Sequence, residues 1–204
     1  MPISAIKVVS IIASMPGLER VLREDGQTRF LPVHGAEVRI VDPAGEVLPT
    51  GQDGEICTRS PSLMSGYWRA PEATAHAVRD GWLHTGDVGH LDDDGYLYVV
   101  DRIKDLIIRN GFNVYPRDVE EVLVAHPDVA YAAVVGRPDT DSGEEVVAFV
   151  QARPGATLDA EEVRGWAREH LSAVKYPREV HVVEQIPLTS VGKLDRKRLR
   201  ADLG

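Results

Sequence analysis

Gly81-Trp82-Leu83-His84-Thr85-Gly86-Asp87, then Tyr96-Leu97-Tyr98-Val99-Val100-Asp101, then Arg102-Ile103-Lys104-Asp105, then Asn110-Gly111 ahead of Pro116, carry three kinds of signal in close succession. The first segment reads as a glycine-bracketed turn that exposes a single acid, Asp87. An alternating strand follows and ends in a run of charge, Asp101 to Asp105. A second apolar stretch, Leu106-Ile107-Ile108, then meets Asn110-Gly111, a turn pair, and Pro116 opens a helix. Charge between two apolar strands is costly to bury inside one continuous sheet. A wet, mobile linker tolerates it, so the run is read as the boundary between two bodies.

Upstream of that boundary, Ala36-Glu37-Val38-Arg39-Ile40-Val41 alternates as a half-buried strand. Asp42-Pro43-Ala44-Gly45 closes it as a turn, Pro49 to Gly54 forms a second loop, and Glu55 to Arg59 forms another strand. Short strands with tight turns point to a small barrel or sandwich. Tyr67 and Trp68 are read as packing residues, and Pro71 to Ala77 as a short helix. Asp92-Asp93-Asp94-Gly95 lacks the spacing and closing glutamate of a calcium loop, and reads as a solvated hairpin tip. His76 and His84 have no partners at metal-ligand spacing. Residues 1–30 are the least legible. Val8 to Ile12 fits a strand and Pro16 to Glu24 a short helix, and neither receives a function.

Downstream the pattern changes to mixed helix and strand. Pro116 to Ala125 is amphipathic, with Val119, Val122, Leu123 and His126 on one face. Val129 to Val135 and Glu145 to Ala152 are nearly continuous apolar strands, and Glu179 to Val183 is a third. Asp159 caps a second amphipathic helix that runs to Leu171 and is buried through Val163, Trp166, Ala167 and Leu171. Three strands with two or three helices make an independent α+β domain.

The segments 81–121 resemble the core of the adenylate-forming superfamily, which includes acyl-CoA synthetases, luciferases and the adenylation domains of peptide synthetases. Gly54-Glu55-Ile56 and Gly66-Tyr67-Trp68 also match, as does Pro187-Leu188-Thr189-Ser190-Val191-Gly192-Lys193. The resemblance covers roughly Leu31 to the end. It implies an α+β architecture: a small β-barrel-like subdomain ending a large domain (31–101), joined by a hinge to a mobile C-terminal domain (102–204) with a three-stranded sheet and helices.

By the same resemblance, Asp87 and Arg102 face the nucleotide ribose and Lys104 is the hinge. Gly111, Phe112 and Asn113 form a loop facing the pantetheine of CoA, and Lys193 bridges the carboxylate and the α-phosphate of ATP. The residue types suit these tasks. An ionised carboxylate only accepts hydrogen bonds, as vicinal hydroxyls require, and a compact ammonium on a flexible stem can reach between two anions. ATP/AMP, CoA and Mg²⁺ are implied. The family's phosphate loop, its Mg²⁺ and adenine segment and its acyl pocket have no counterpart here, so the chain resembles the last third of a ligase for fatty or related carboxylic acids. Such a piece would be inactive alone and would need an N-terminal portion, supplied in cis or in trans. The rival readings are a stand-alone binding module of the same fold and a peptide-synthetase adenylation fragment.

Composition sets outer bounds. The chain has 204 residues, 43% of them apolar, and a net charge of −9. The acid excess lies mainly before Arg102, which argues against a nucleic-acid partner. Lys193, Arg196, Lys197, Arg198 and Arg200 form the only basic cluster, and the last four read as a solvated helix face. The single cysteine, Cys57, excludes an internal disulfide, fits a reducing cytoplasm and reads as a buried small hydrophobe rather than a nucleophile. No apolar run approaches a membrane span, and no metal site is expected.

Overall fold

The computed structural model describes residues 18–22 and 28–204. They divide into two compact units that meet between Lys104 and Asp105.

The first unit is an antiparallel sheet. Its strands are β1 (Leu18–Leu22), β2 (Thr28–Pro32), β3 (Glu37–Val41), β4 (Gly54–Arg59), β5 (Val78–Arg79), β6 (Trp82–Leu91) and β7 (Leu97–Arg102), with one short helix, α1 (Pro71–Ala77). The order is β1-β2-β7-β6-β4-β3, and β5 pairs with β6. Period-two alternation sends Ile56 to one face of β4 and Cys57 to the other. Ile56 joins Phe30, Ile40 and Leu97 in one buried cluster, whereas Cys57 packs with Val41 and Trp82. The guanidinium groups of Arg39 and Arg59 lie 4.2 and 4.6 Å from the Trp82 ring.

Two expectations are corrected in this unit. The segment read as a short helix from Pro16 contains β1, which pairs in register with β2 from Leu18↔Pro32 to Leu22↔Thr28. The nine residues from Pro16 to Glu24 are too few to sustain a helix without packing, and strand pairing decides instead. The suggested strand at Val8 to Ile12 lies outside the described residues. Tyr67 and Trp68 are exposed, Trp68 at 86%, with Arg69 5.5 Å from the Trp68 ring.

The second unit comprises β8 (Ile107–Arg109), β9 (Phe112–Val114), α2 (Pro116–Val124), β10 (Val129–Asp139), β11 (Gly143–Ala152), α3 (Ala160–His170), β12 (Glu179–Val182) and α4 (Arg196–Ala201). It is α+β, but its sheet has five strands rather than three, because the short β8–β9 hairpin joins it beside β11. Strand β12 pairs with β11 in parallel. The nearly unbroken apolar runs of β10 and β11 follow from burial on both faces. Ala132, Val134, Val146, Ala148 and Val150 pack with Val119 and Leu123 of α2 and Val163 and Ala167 of α3. Ala133, Val135, Val147 and Phe149 pack on the opposite face with Ile186 and with Leu199 of α4. Asp159 caps α3 by accepting from the backbone N–H groups of Glu161 and Glu162. Among the described residues, no helix is long and apolar enough to cross a membrane.

Candidate functional site

Asp87 does not stand on an exposed turn. Thr85, Gly86 and Asp87 lie in the middle of β6, and Asp87 is 3% exposed. What reads as a turn is a bulge. Glu55 pairs with Val88 but Cys57 pairs with His84, so β6 advances four residues while β4 advances two. Gly86 takes the left-handed φ of +71° that this detour requires. Thr85 Oγ1 fastens the bulge by donating to the Ile56 carbonyl at 2.7 Å and accepting from Asp87 N–H at 3.1 Å. Glu55 fastens the other side: Oε1 accepts from Gly86 N–H at 3.2 Å and Oε2 lies 2.7 Å from His84 Nδ1.

Arg102 is the register partner of Asp87 on β7, and its Nε donates to Asp87 Oδ1 at 3.0 Å. Burial pushes the Asp87 carboxyl above its ordinary value, and the opposing pull of Arg102 does not cancel this. The result is a buried acceptor with one cation already beside it.

The charge run is less wet than its composition implies. Strand β7 carries Asp101 and Arg102 into the sheet, and Ile103–Asp105 forms a 3₁₀ turn. Asp105 is 8% exposed and accepts from Arg200 Nη2 at 3.2 Å. Ile103 and Lys104 alone in the run are exposed.

Gly111 stands at a two-residue hairpin tip, the turn that the Asn110-Gly111 pair predicts. Arg109 pairs with Phe112 across it, and Asn110 and Gly111 have φ of +51° and +78°, as a type I′ turn demands. Phe112 and Asn113 belong to β9 and are exposed, Phe112 at 59%.

Lys193 closes a tight turn. Thr189 N–H donates to the Lys193 carbonyl at 2.7 Å, Gly192 N–H to the Thr189 carbonyl at 2.8 Å, and Lys193 N–H to Thr189 Oγ1 at 3.1 Å. Leu188 and Leu194 pair as a bridge, and Asp195 N–H donates to the Pro187 carbonyl at 3.0 Å. The Lys193 ammonium makes no hydrogen bond or ion pair among the described residues.

The structure therefore brings Asp87 and Arg102 together in one unit, with Lys104 at that unit's end. It places the Gly111 tip and the Lys193 turn in the other. The basic residues after Lys193 are not a uniformly solvated face. Arg196 Nη2 donates to Glu120 Oε1 at 2.6 Å and its Nε to the Val134 carbonyl at 3.3 Å, while Arg200 holds Asp105. Lys197 and Arg198 are exposed.

One constellation escaped the sequence reading. His84 is not alone: donor atoms of Glu55, Cys57 and His84 all lie within 4.8 Å of one another. The spacing of Glu55 and Cys57, two apart on a strand, was the available signal, since it puts both on one face. The group satisfies itself. Cys57 Sγ lies 3.4 Å from His84 Nδ1, and Glu55 divides its oxygens between His84 and Gly86. Burial pushes the Cys57 thiol up to about 11, with the Glu55 charge adding to the effect. With each of these side chains already partnered, the geometry supports a brace for the bulge.

Comparison with known proteins gives two consecutive family matches. Residues 118–193 match the AMP-binding enzyme C-terminal domain, and residues 10–68 match the AMP-binding enzyme family. The second match reaches back to residue 10, which corrects the view that residues before about Phe30 fall outside the family pattern. A feruloyl-CoA synthase of an Amycolatopsis species is 42% identical over 174 residues, 85% of this chain and 35% of that protein. A medium/long-chain-fatty-acid–CoA ligase of Mycobacterium tuberculosis is 44% identical over 177 residues, 83% of this chain and 31% of its own length. Among solved structures, the amide bond synthetase McbA from Marinactinospora thermotolerans superposes with a TM-score of 0.79 at 49% identity. That match covers 85% of this chain and 36% of McbA. The chain thus spans about a third of the length of these relatives.

Proposed function

Since the chain belongs to the family of AMP-binding, adenylate-forming enzymes, we propose that it supplies the ribose-holding end of the nucleotide domain and the whole C-terminal domain of an AMP-forming acid–CoA ligase. The substrates of the complete enzyme would be a carboxylic acid of the fatty or aryl type, ATP and CoA. The observation that carries this reading is Lys193: its backbone is fixed in a closed turn while its ammonium is uncommitted. Such a cation is prepared for anions that arrive from outside.

In adenylate formation a carboxylate oxygen attacks the α-phosphorus, an O–P bond forms, and pyrophosphate leaves with the electrons of the broken bond. Negative charge gathers between the two reactants, where the Lys193 ammonium would lie. Asp87 would accept from the ribose hydroxyls, with Arg102 fixing the carboxylate. The donors for Mg²⁺ and for the β- and γ-phosphates would come from the part of the relatives that this chain does not span. Lys104 would serve as the hinge. Rotation there would exchange the Lys193 turn for the Gly111–Asn113 tip at the reacting centre when the acyl group passes to its acceptor.

Removing Lys193 tests this. In the complete enzyme, Lys193→Ala should slow acid-dependent pyrophosphate release by roughly two to four orders of magnitude, about 3–5 kcal/mol of transition-state stabilisation. Thioester formation from a pre-made acyl-adenylate should survive. Adenylation at wild-type speed would overturn the assignment. The likeness to an amide bond synthetase supports a second reading, in which the acceptor is an amine. Supplying the adenylate with CoA or with amines in parallel separates the two.

A further inference from the structure

We propose that Glu120 and Arg196 form a clamp that positions Lys193, so that both are positioning residues for the reaction proposed above. The inference rests on that reading for its catalytic consequence but not for its structural content. Arg196 follows Lys193 by three residues and opens α4. Its guanidinium spans two elements, with Nη2 on Glu120 of α2 and Nε on the Val134 carbonyl of β10. Glu120 Oε1 also accepts from Val134 N–H at 2.9 Å. The pair therefore takes both backbone groups of one residue in a buried strand and ties them to the start of the helix behind the lysine. Arg196 and Glu120 are 18% and 15% exposed, so water screens the pair little.

The other end of the turn is tied independently. Ile186 N–H donates to Gln151 Oε1 at 3.1 Å on β11, and Ile186 is buried against Phe149 and Leu199. The chain from Ile186 to Arg196 is thus fixed at both feet to the central strand pair β10–β11. Leu194 packs inward beside Leu199, and Asp195 accepts from Arg198 N–H at 3.1 Å. With Arg196 released, the downstream foot keeps Leu194, that cap and backbone bonds within the segment but loses its polar tie to α2 and β10, and Lys193 would sample positions away from the reacting atoms. A misplaced catalytic group costs rate without weakening substrate binding.

The test uses Arg196→Ala and Glu120→Gln, the second keeping the volume and one acceptor oxygen. Hydrogen exchange on the 204-residue chain reads the clamp directly. In Arg196→Ala the amides of Gly192, Lys193 and Asp195 should exchange about tenfold faster or more, with β10 and β11 amides unchanged. Glu120→Gln should give a smaller change in the same direction. In the complete enzyme, Arg196→Ala should lower the kcat of adenylation by about ten- to a hundredfold with little change in KM for ATP or acid. It should leave thioester formation from pre-made adenylate intact. Unchanged exchange at the turn in Arg196→Ala would overturn the clamp. So would loosening of the turn and of β10–β11 together in Glu120→Gln, because the pair would then be a general structural tie. Lys193→Ala run alongside separates the two proposals: if it alone leaves adenylation untouched, the functional reading falls while the exchange data still decide the clamp.

Discussion

A carboxylate buried as deeply as Asp87 costs the fold something, and the direction of that cost can be measured. Burial raises its folded value above the ordinary aspartate value. Between those two values the folded chain keeps a proton that the unfolded chain has released. Stability therefore falls as pH rises through the interval, and the full penalty stands above it. Asp87→Asn removes the charge, and Arg102, a third exposed, can hydrate in its place. Urea denaturation should find the variant at least as stable as wild type near neutral pH. It should lose that advantage, relative to wild type, as pH drops below the ordinary carboxylate range. A variant weaker than wild type at neutral pH, with a deficit that shrinks on acidification, would mean that the Arg102 pair outweighs the burial. A residue that costs stability at working pH is the kind retained for binding. Its residue type and neighbours were legible in Thr85-Gly86-Asp87, but its burial was not. That depends on β4 and β7 closing over β6, and no local spacing records it.

At the scale of elements, two glycines separate two mechanisms. A Cβ on Gly89 would come within 2.0 Å of the Tyr98 carbonyl oxygen and 2.9 Å of Ile56 Cδ1. A Cβ on Gly111 would meet nothing within 4 Å, but its φ is +78°. Gly89→Ala should force β6 from β7 and cost about 3 kcal/mol or more. Gly111→Ala should cost only the strain of a left-handed alanine, about 1–2 kcal/mol. Chemical denaturation of both variants checks the order, and equal losses would mean that β6 and β7 yield more readily than the backbone contact implies.

The elements themselves were unevenly readable. Strands β10 and β11 and helices α2 and α3 declare themselves through long periodic or apolar runs and an aspartate cap. Strands β8 and β9 have three residues each, too few for a period; the apolar Leu106-Ile107-Ile108 marks β8, and only the Asn110-Gly111 pair points to β9. The bulge in β6 imitates a turn because the same glycine conformation serves both. The partners of Arg196 and Arg200 lie 76 and 95 residues away in sequence, so a single sequence shows the charges without the pairs.

For the whole molecule, the decisive fact is that β7 and β8 belong to different sheets and the backbone passes between them through Ile103–Leu106. If that passage is the proposed hinge, Lys104→Pro in the complete enzyme should spare adenylation and impair thioester formation, because proline fixes φ where rotation is needed. Equal loss of both half-reactions would show that Lys104 is not the pivot. The one native thiol bears on how such motion can be watched. Cys57 is fully buried, and its pKa is pushed up to about 11, so it should ignore maleimide dyes while the fold holds. A cysteine pair added at exposed sites, one in each unit, could then carry a donor and an acceptor fluorophore with no need to delete Cys57. The energy transfer between them would follow each turnover on the native background.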